Sequence, residues 1–390
     1  MTVNGTCDDR FSALGELLES NIATGADLGA SVAVTLDGET VVDLWGGCLD
    51  EAQTTPWRTD TIVNVWSTTK LMTALCALIL VDRGELDLDA PVARYWPEFA
   101  ANGKGGVQVR HVLSHSSGVA GWDTPVTYAQ VFDPEESVAM LAAQAPWWKP
   151  GTASGYHGLC WGHLVGELVR RSTGLTVGRF FAEQIAGPLG ADFHIGLDPA
   201  HDRRLSPMVL PPPAPEMADL DLDALDHDSP AYKCFVGPPM DPTLSSQPEW
   251  YRSEIAASGN GVGNARSVAQ IQSVLSNGGA ARSVRLLSPA TVDLVYEPQV
   301  EGTDLVLGIP LRWGLGAALP DPVSFPYLPD GRVCLWGGLG GSFAVNDLDR
   351  RMTFSYVMNK QESFVMGTAR GFVGGLRSEP LVRAAYAAIA

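Results

Sequence analysis

The sequence predicts an α+β protein in which both ends of the chain build one lobe around a β-sheet and the middle forms a mostly helical lobe. Strand patterns fill residues 28–66, helical patterns and loops fill residues 85–250, and strand patterns return in the final third. Such separated runs of strands and helices are typical of α+β folds. A length of 390 residues suits two lobes, at about 100–200 residues per domain. We therefore expect residues 1–80 and 251–390 to form the sheet lobe and residues 81–250 the helical lobe.

The N-terminal strand pattern is that of a β-hairpin. Leu28–Thr35 and Thr40–Trp45 are rich in β-branched and aromatic residues, and Asp37-Gly38 lies between them. This dipeptide strongly favours a tight hairpin turn. The sequence therefore predicts two adjacent antiparallel strands.

A buried helix is predicted at residues 66–83. Its apolar side chains recur at helical spacing and cover it nearly all round, so it is expected between layers rather than at the surface. Ser67 or Thr68 can cap its first turn through a side-chain oxygen. Gly84 is placed to end it.

The middle of the chain contains short helices joined by loops. The predicted helices are Val109–His115, Pro134–Gln144 and Gly162–Thr173, the last closed by Gly174. Residues 206–250 carry proline runs and an acidic run without periodicity. A loop of this length is usually functional or disordered, so we expect either a lid or rim over a cleft or a flexible insertion.

The last third combines helices with further strands. The predicted elements are a helix at Ala265–Asn277, strands at Val333–Leu335, Ser342–Val345 and Met352–Asn359, and a closing helix at Val382–Ile389. The three strands are consistent with neighbours in one sheet.

Composition argues against several classes of function. The net charge of −18 disfavours nucleic-acid and anionic-membrane partners, which bind largely through Lys and Arg. The N-terminus lacks a basic segment followed by an apolar one, and no stretch approaches ~18 consecutive apolar residues. We therefore expect no signal peptide and no membrane span. Six scattered cysteines without a C-x-x-C pair predict free, mostly buried thiols in a cytoplasmic protein.

Ser67 and Lys70 are the first candidate catalytic pair. Three residues apart on a helix, they share a face. A serine needs a base beside it to act as a nucleophile, and burial shifts a lysine towards the neutral form that can be that base. The pattern S-x-x-K is weak by itself, because a capping serine followed by a snorkelling lysine has the same spacing. The apolar surroundings of Lys70 and the scarcity of lysine favour the catalytic interpretation.

Two further segments supply candidate partners. Tyr156 follows the Pro150-Gly151 turn, and a tyrosine near a lysine ammonium can exchange a proton with a serine. The glycine-rich segment Trp336–Ser342 lies between two strand patterns. It allows a ligand to approach the backbone closely, where an N–H can face a developing oxyanion. The alternatives are a core tyrosine and a glycine-rich bulge.

The order and spacing of these segments resemble the serine β-lactamase/penicillin-binding-protein superfamily, in particular its class C-like esterase branch, the family VIII carboxylesterases. His111–Gly118 is similar to the family element LLSHTSG. Pro150–Thr152 followed by Tyr156 is similar to its PGT…Y element. Ser258–Gly261 and Met358-Asn359 also have recognisable counterparts.

The resemblance covers roughly residues 25–385 and implies both a fold and a set of roles. The implied fold is β-lactamase/transpeptidase-like, an antiparallel sheet flanked by helices with an inserted, mostly helical lobe. Ser67 would be the acyl-accepting nucleophile. Lys70 and Tyr156 would be the proton-transfer pair, in an order that stays open. The backbone N–H groups of Ser67 and Leu339 would form the oxyanion hole.

Departures from the β-lactamase motifs shape the expected substrate. The second motif, Y-x-N, is here Tyr156-His157-Gly158, which lacks the amide that would bond a β-lactam side chain. The third motif, K-T-G, is here Trp336-Gly337-Gly338, which lacks the lysine that would hold the β-lactam carboxylate. We therefore expect Trp336, Gly337 and Gly338 to contact a neutral, apolar substrate. His157 is expected beside them, as a proton relay or as a residue behind the site.

The leading hypothesis is a carboxylesterase that hydrolyses neutral esters, of short acyl chains or bulky alcohols, through an acyl-enzyme on Ser67. The alternatives are acyl transfer to an alcohol, weak β-lactamase or amidase activity, and a non-catalytic binding module. The expected partner is a small-molecule ester, and the oligomeric state, monomer or small homo-oligomer, stays open. No cofactor is expected, and no metal, because His111 and His115 lack a third ligand.

Overall fold

The computed structural model describes residues 2–211, 226–236, 241–363, 367–370 and 373–390. In chain order, the strands of the described residues are β1 Asn4–Cys7, β2 Gly29–Leu36, β3 Glu39–Gly47, β4 Ile62–Asn64, β5 Leu205–Ser206, β6 Val262–Gly263, β7 Ala280–Ala281, β8 Val284–Arg285, β9 Val300–Thr303, β10 Pro310–Trp313, β11 Ala318–Leu319, β12 Val333–Gly337, β13 Phe343–Asp347 and β14 Met352–Met358. Nine of these form one antiparallel sheet in the spatial order β1-β3-β2-β14-β13-β12-β11-β10-β9. Both ends of the chain therefore contribute to this sheet, as the sequence predicts.

Strands from the two ends of the chain are neighbours in this sheet. β2 and β3 form the predicted hairpin, and the φ angles of Asp37 and Gly38, 52° and 83°, are the left-handed values that a tight hairpin turn needs. β2 also pairs with β14, where Ala30 lies opposite Met358. β12, β13 and β14 are successive neighbours, as predicted.

Helices cover both faces of the sheet. They are α1 Ser12–Ala23, α2 Thr69–Asp82, α3 Val109–Leu113, α4 Tyr128–Phe132, α5 Pro134–Ala143, α6 Trp161–Thr173, α7 Val177–Phe181, α8 Gly187–Leu189, α9 Pro230–Val236, α10 Pro248–Arg252, α11 Ala265–Ser276, α12 Pro289–Val295 and α13 Ser378–Ala387. α1 and α13 pack together on one face, and α11 packs against β2, β13 and β14 on the other. The backbone of Ala265 at the start of α11 bonds the hydroxyl of Ser31 in β2.

α2 joins the sheet to the helical part of the chain. It packs against α6 and α7, and every residue from Thr69 to Leu80 is buried. Gly84 follows with a left-handed φ of 73°, which ends the helix as predicted. Just before α2, the short sheet β5-β4-β6 ties residues 62–64 to two distant segments. The entry to α2 is therefore held from several directions.

Residues 206–250 contain short helices that periodicity did not predict. Besides α9 and α10, a 3-10 helix spans Pro242–Ser246. Each is five to seven residues long with proline at its start, which suits a helix start but is too short to show a period. Residues 212–225 and 237–240 of the expected lid or rim lie outside the described residues.

The six cysteines are all free; five are buried and Cys7 is half-buried, which agrees with the predicted thiols. Within the described ranges, no helix is both long enough and apolar enough to cross a bilayer.

Candidate active site

Ser67 occupies a tight turn at the entry to α2. It is the middle residue of a 3-10 turn, Trp66–Thr68, between β4 and α2. Of residues 61–80, all of which are described, Ser67 is the one that is not buried. No side chain caps α2, so the expected capping role of Ser67 or Thr68 is wrong. Ser67 is therefore the position of this buried segment at which a substrate can reach a side chain.

The residue before Ser67 has an uncommon backbone conformation. Trp66 has a φ of 45°, a left-handed value that bulky residues rarely adopt. Its carbonyl accepts a hydrogen bond from the Thr69 hydroxyl, and its ring lies 5.4 Å from that of Trp250. Strained conformations of this kind persist where surrounding contacts enforce them, and they concentrate at functional sites.

Lys70 is buried and reaches Ser67. Its Nζ lies 3.2 Å from Ser67 Oγ, 2.8 Å from the carbonyl oxygen of Gly158 and 3.0 Å from that of Ser258. Burial lowers the pKa of Lys70 to about 7, because a charged amine loses its hydration. A neutral amine has two N–H groups for the two carbonyls and a lone pair for the Ser67 O–H. The three contacts therefore suit a base that accepts the serine proton.

Tyr156 lies beside the same pair. Lys70 Nζ is 4.7 Å from the centre of the Tyr156 ring. Burial raises the pKa of Tyr156, while hydrogen bonds with Ser67 and Trp336 partly oppose that rise. The Trp336 indole N–H donates to the tyrosine hydroxyl at 3.3 Å. Tyr156 is therefore a neutral phenol at neutral pH, able to donate a proton.

Asp304 fixes Tyr156 from behind, and sequence reasoning missed it. This fully buried carboxylate accepts from the backbone N–H of Tyr156 at 2.9 Å and from the Trp313 indole at 3.3 Å. It also accepts from Val306 and Leu307, each at 3.0 Å. The Trp313 ring stacks on the Tyr156 ring, 6.1 Å away and 4° from parallel. The available signal was an aspartate directly before an apolar run, a residue that commonly bonds the backbone two residues on.

His157 lies behind the site rather than beside Ser67. Its side chain is fully buried, with Nδ1 2.6 Å from the Gly155 carbonyl and Nε2 2.7 Å from Ser117 Oγ. A carbonyl only accepts, so Nδ1 carries the proton and Nε2 accepts from the serine hydroxyl. The His157 backbone N–H donates to His115 Nδ1 at 3.1 Å. Burial lowers the pKa of His157 to about 3. With both ring nitrogens engaged, the position disfavours the expected substrate contact and favours the expected supporting role.

His111 is likewise engaged within the fold. Its Nδ1 accepts from the backbone N–H of Gln108 at 3.2 Å, at the start of α3. The described residues contain no group of three or more His, Cys, Asp or Glu side chains arranged to hold a metal ion.

The end of β12 runs alongside the Ser67 turn. A Cβ at Gly338 would lie 2.2 Å from the Val65 carbonyl oxygen, so only glycine fits this approach. Ser342 Oγ donates to the same carbonyl at 2.7 Å and lies 3.0 Å from Thr68 Oγ1. Within the described part of the chain, the Leu339 N–H makes no hydrogen bond to a protein acceptor. The structure therefore brings the Leu339 segment to the turn that carries Ser67.

Two of the motif departures have visible consequences. A Cβ at Gly158 would lie 3.2 Å from Cys234 Sγ, so an asparagine side chain there would require a shift. Trp336 is 1% exposed, and its ring lies 5.1 Å from Tyr156 and 4.5 Å from Trp313. It closes the site with a neutral indole where the β-lactamase motif has a cation.

The chain is similar to known proteins in sequence and in structure. The sequence profile described as Beta-lactamase matches residues 17–373. The esterase/β-lactamase LipL of Mycobacterium tuberculosis is 34% identical over 382 residues, covering 95% of this chain and 86% of LipL. The acyltransferase calJ of Penicillium decumbens is 25% identical over 329 residues, covering 75% of this chain and 68% of that protein. A solved structure of a family VIII carboxylesterase is similar with a TM-score of 0.90 and 34% identity over the whole of both chains. Both the fold and the resemblance predicted from the motifs are confirmed, and the chain belongs to the β-lactamase family.

Proposed function

We propose that this protein is a serine carboxylesterase that hydrolyses neutral carboxylic esters through an acyl-enzyme on Ser67. One observation carries the proposal: the accessible hydroxyl of the buried segment 61–80 lies 3.2 Å from the amine of a buried lysine. A nucleophile and a base in hydrogen-bond reach are what acyl transfer to a serine requires. The esterase names of LipL and of the similar solved structure support the same activity.

The acylation step follows from these positions. Neutral Lys70 takes the proton of Ser67 as Oγ attacks the ester carbonyl carbon. The N–H groups of Ser67 and Leu339 donate to the oxyanion of the tetrahedral intermediate. Tyr156 then gives its proton to the leaving alcohol oxygen as the C–O bond breaks, and it recovers a proton from the Lys70 ammonium.

Deacylation uses Lys70 as the base again, now for water. Water gives a proton to the neutral Lys70 amine and attacks the acyl carbon, and the proton returns to Ser67 Oγ as the carboxylic acid leaves. We therefore assign Lys70 as the first base and Tyr156 as the acid. The lowered pKa of Lys70 and the raised pKa of Tyr156 support this order.

A neutral ester suits the site better than a β-lactam. The Cys234 thiol leaves little room for an amide side chain at position 158, and Trp336 offers no cation for a carboxylate. Short acyl chains or bulky alcohols are the proposed substrate class, bound near Trp336, Gly337 and Gly338.

The first test is hydrolysis of p-nitrophenyl acetate and butyrate by the wild type and by Ser67→Ala. We expect kcat to fall at least about 10³-fold in the variant. Ser20→Ala, on the exposed side of α1, is the matched control and should keep wild-type rates. Equal rates for the wild type and Ser67→Ala would refute the proposal.

Acyl transfer to an alcohol is the second candidate, because it shares the acyl-enzyme and because calJ is named an acyltransferase. Product analysis with a small alcohol present separates the two. Carboxylic acid as the main product supports the hydrolase, whereas an ester of the added alcohol in excess of acid supports the transferase.

The remaining alternatives have their own readouts. Nitrocefin turnover comparable to that of a dedicated β-lactamase would overturn the preference for esters. A non-catalytic binding module would give no adduct on Ser67 with a fluorophosphonate probe, as read by intact-mass spectrometry.

We also propose a cytoplasmic location, supported by six cysteines that are all free, as expected in a reducing compartment. Fractionation of producing cells tests it, and recovery of the protein outside the cytoplasmic fraction would contradict it.

A further inference from the structure

The turn that carries the Leu339 N–H is held by hydrogen bonds to the carbonyl of Gly340, the residue that follows Leu339. Gly341 N–H donates back to the Gly338 carbonyl at 3.0 Å and closes the turn. The Gly340 carbonyl accepts from the Glu362 N–H at 2.8 Å and from Arg377 Nη2 at 3.0 Å. A side chain just before α13 therefore contacts the segment proposed to form the oxyanion hole.

The Arg377 guanidinium is buried, with 6% of its side chain exposed, and all five of its N–H groups are used. Their acceptors are Glu362 Oε1 for Nε at 2.9 Å, Asp27 Oδ1 and the Ala26 carbonyl for Nη1 at 2.5 and 3.1 Å, and the Gly340 and Lys360 carbonyls for Nη2 at 3.0 and 2.7 Å. A planar guanidinium with five satisfied donors has one orientation in such a site. The position of the Gly340 carbonyl is therefore fixed relative to the other groups that Arg377 bonds.

The partners of Arg377 are themselves fixed. Asp27 Oδ1 also accepts from the Tyr356 hydroxyl at 2.6 Å, and Tyr356 belongs to β14, which lies between β2 and β13 in the sheet. Glu362 accepts from the backbone N–H groups of Leu376 and Arg377, each at 3.0 Å. The network thus connects the sheet to the turn after β12, which contains two glycines at left-handed φ, Gly340 and Gly341.

We propose that Arg377 is a positioning residue for the oxyanion hole: by holding the Gly340 carbonyl, it aims the Leu339 N–H at the carbonyl oxygen of the ester. The inference rests on the proposed esterase function. Glycines at positions 340 and 341 leave the turn several accessible conformations, and the guanidinium selects one. Lysine in place of Arg377 keeps the charge against Asp27 and Glu362 but has three donors in place of five.

The test compares Arg377→Lys with the wild type on a p-nitrophenyl ester and on the matching thionoester, in which sulfur replaces the carbonyl oxygen. Sulfur accepts hydrogen bonds weakly and is larger, so a thionoester gains little from an oxyanion hole. We expect kcat on the oxygen ester to fall about 10-fold with KM nearly unchanged. The ratio of oxygen-ester to thionoester rates should fall by about the same factor.

Controls separate positioning from loss of stability. Arg204→Lys alters another guanidinium that bonds a carboxylate, here that of Asp192 through two contacts at 2.7 and 3.0 Å, and should leave the rate ratio unchanged. If Arg377→Lys does not fold, Glu362→Gln weakens the same network and should shift the ratio in the same direction by less. An unchanged ratio in a folded variant of either residue overturns the proposal. The proposed function fails separately, through full activity of Ser67→Ala.

Discussion

The indole N–H of Trp336 donates to the hydroxyl oxygen of Tyr156 at 3.3 Å. This contact stands at the place where the β-lactamase motif would put a lysine ammonium. A cation near the phenol would favour its ionised form, whereas a neutral indole in a buried site leaves it protonated. The substitution therefore bears on proton transfer as well as on the charge of the substrate.

Replacing Trp336 by phenylalanine should slow catalysis without emptying the site. The ring still packs against Trp313 and Tyr156, but the hydroxyl loses a donor worth about 1 kcal/mol. We expect kcat to fall about fivefold, measured with p-nitrophenyl butyrate. Trp122→Phe is the matched control, because its indole donates at 3.0 Å to the Ser137 carbonyl in the helical region. That variant should lose stability and keep kcat; equal losses of kcat in both variants would contradict the assignment.

The pH dependence should report the base. Lys70 must be neutral to accept the Ser67 proton, and its pKa is lowered to about 7. Below that pH it is protonated and cannot act, so kcat/KM should rise with pH through a midpoint near 7. Tyr156 must be protonated to act as the acid, and its raised pKa places the descending limb above the ordinary tyrosine range.

A second buried lysine provides the control for this profile. Lys104 Nζ donates to the carbonyls of Ala101, Ala142 and Gln144, in the helical region. Lys104→Met should lower the melting temperature but keep the midpoint near 7, whereas Lys70→Arg, which stays charged, should remove the activity. A wild-type kcat/KM profile with its midpoint near 5 or near 9 would exclude Lys70 as the base.

Much of the fold was predictable because its signals are local. The hairpin at Asp37-Gly38, the ends of α2 and α6 at Gly84 and Gly174, and the period of α11 each depend on residues close in sequence. The segments around Ser67, Tyr156 and Leu339 were predictable as a set through their order along the chain.

Other features of the site depend on contacts between residues far apart in the chain, and such contacts produce no periodic pattern in the sequence. Asp304 contacts the backbone of Tyr156, 148 residues away in sequence, and Arg377 contacts Gly340 across the turn after β12. The capping prediction for Ser67 or Thr68 was wrong because a 3-10 turn with left-handed Trp66 precedes α2. His157 was expected near the substrate, but burial of its ring is a tertiary property that the motif does not encode.

Gly338→Ala should damage the oxyanion region directly. The added Cβ would meet the Val65 carbonyl oxygen at 2.2 Å, so the end of β12 must move away from the Ser67 turn. Loss of one oxyanion donor costs about 10²–10³-fold in kcat, and we expect a fall of about 100-fold. Gly106→Ala is the control, because nothing lies within 4 Å of its added Cβ. Wild-type kcat in a folded Gly338→Ala variant would show that β12 does not take part.

Asp304→Asn tests how Tyr156 is held. One Asp304 oxygen accepts from three backbone N–H groups and the other from the Trp313 indole. An amide has only one oxygen, so its NH2 group must face one of these donors, at a cost of about 1–3 kcal/mol. If the displaced donor is the Tyr156 N–H or the stacked Trp313, the phenol moves relative to Ser67. We therefore expect a lower melting temperature together with a fall in kcat of about 10-fold, because misplacement of a catalytic group is costly.

Asp321→Asn is the control. The Asp321 carboxylate accepts from the Val323 and Ser324 N–H groups at 2.9 Å, so this variant should lower stability without lowering kcat. If Asp304→Asn lowers the melting temperature but leaves kcat unchanged, Asp304 stabilises the fold and does not position Tyr156 for catalysis.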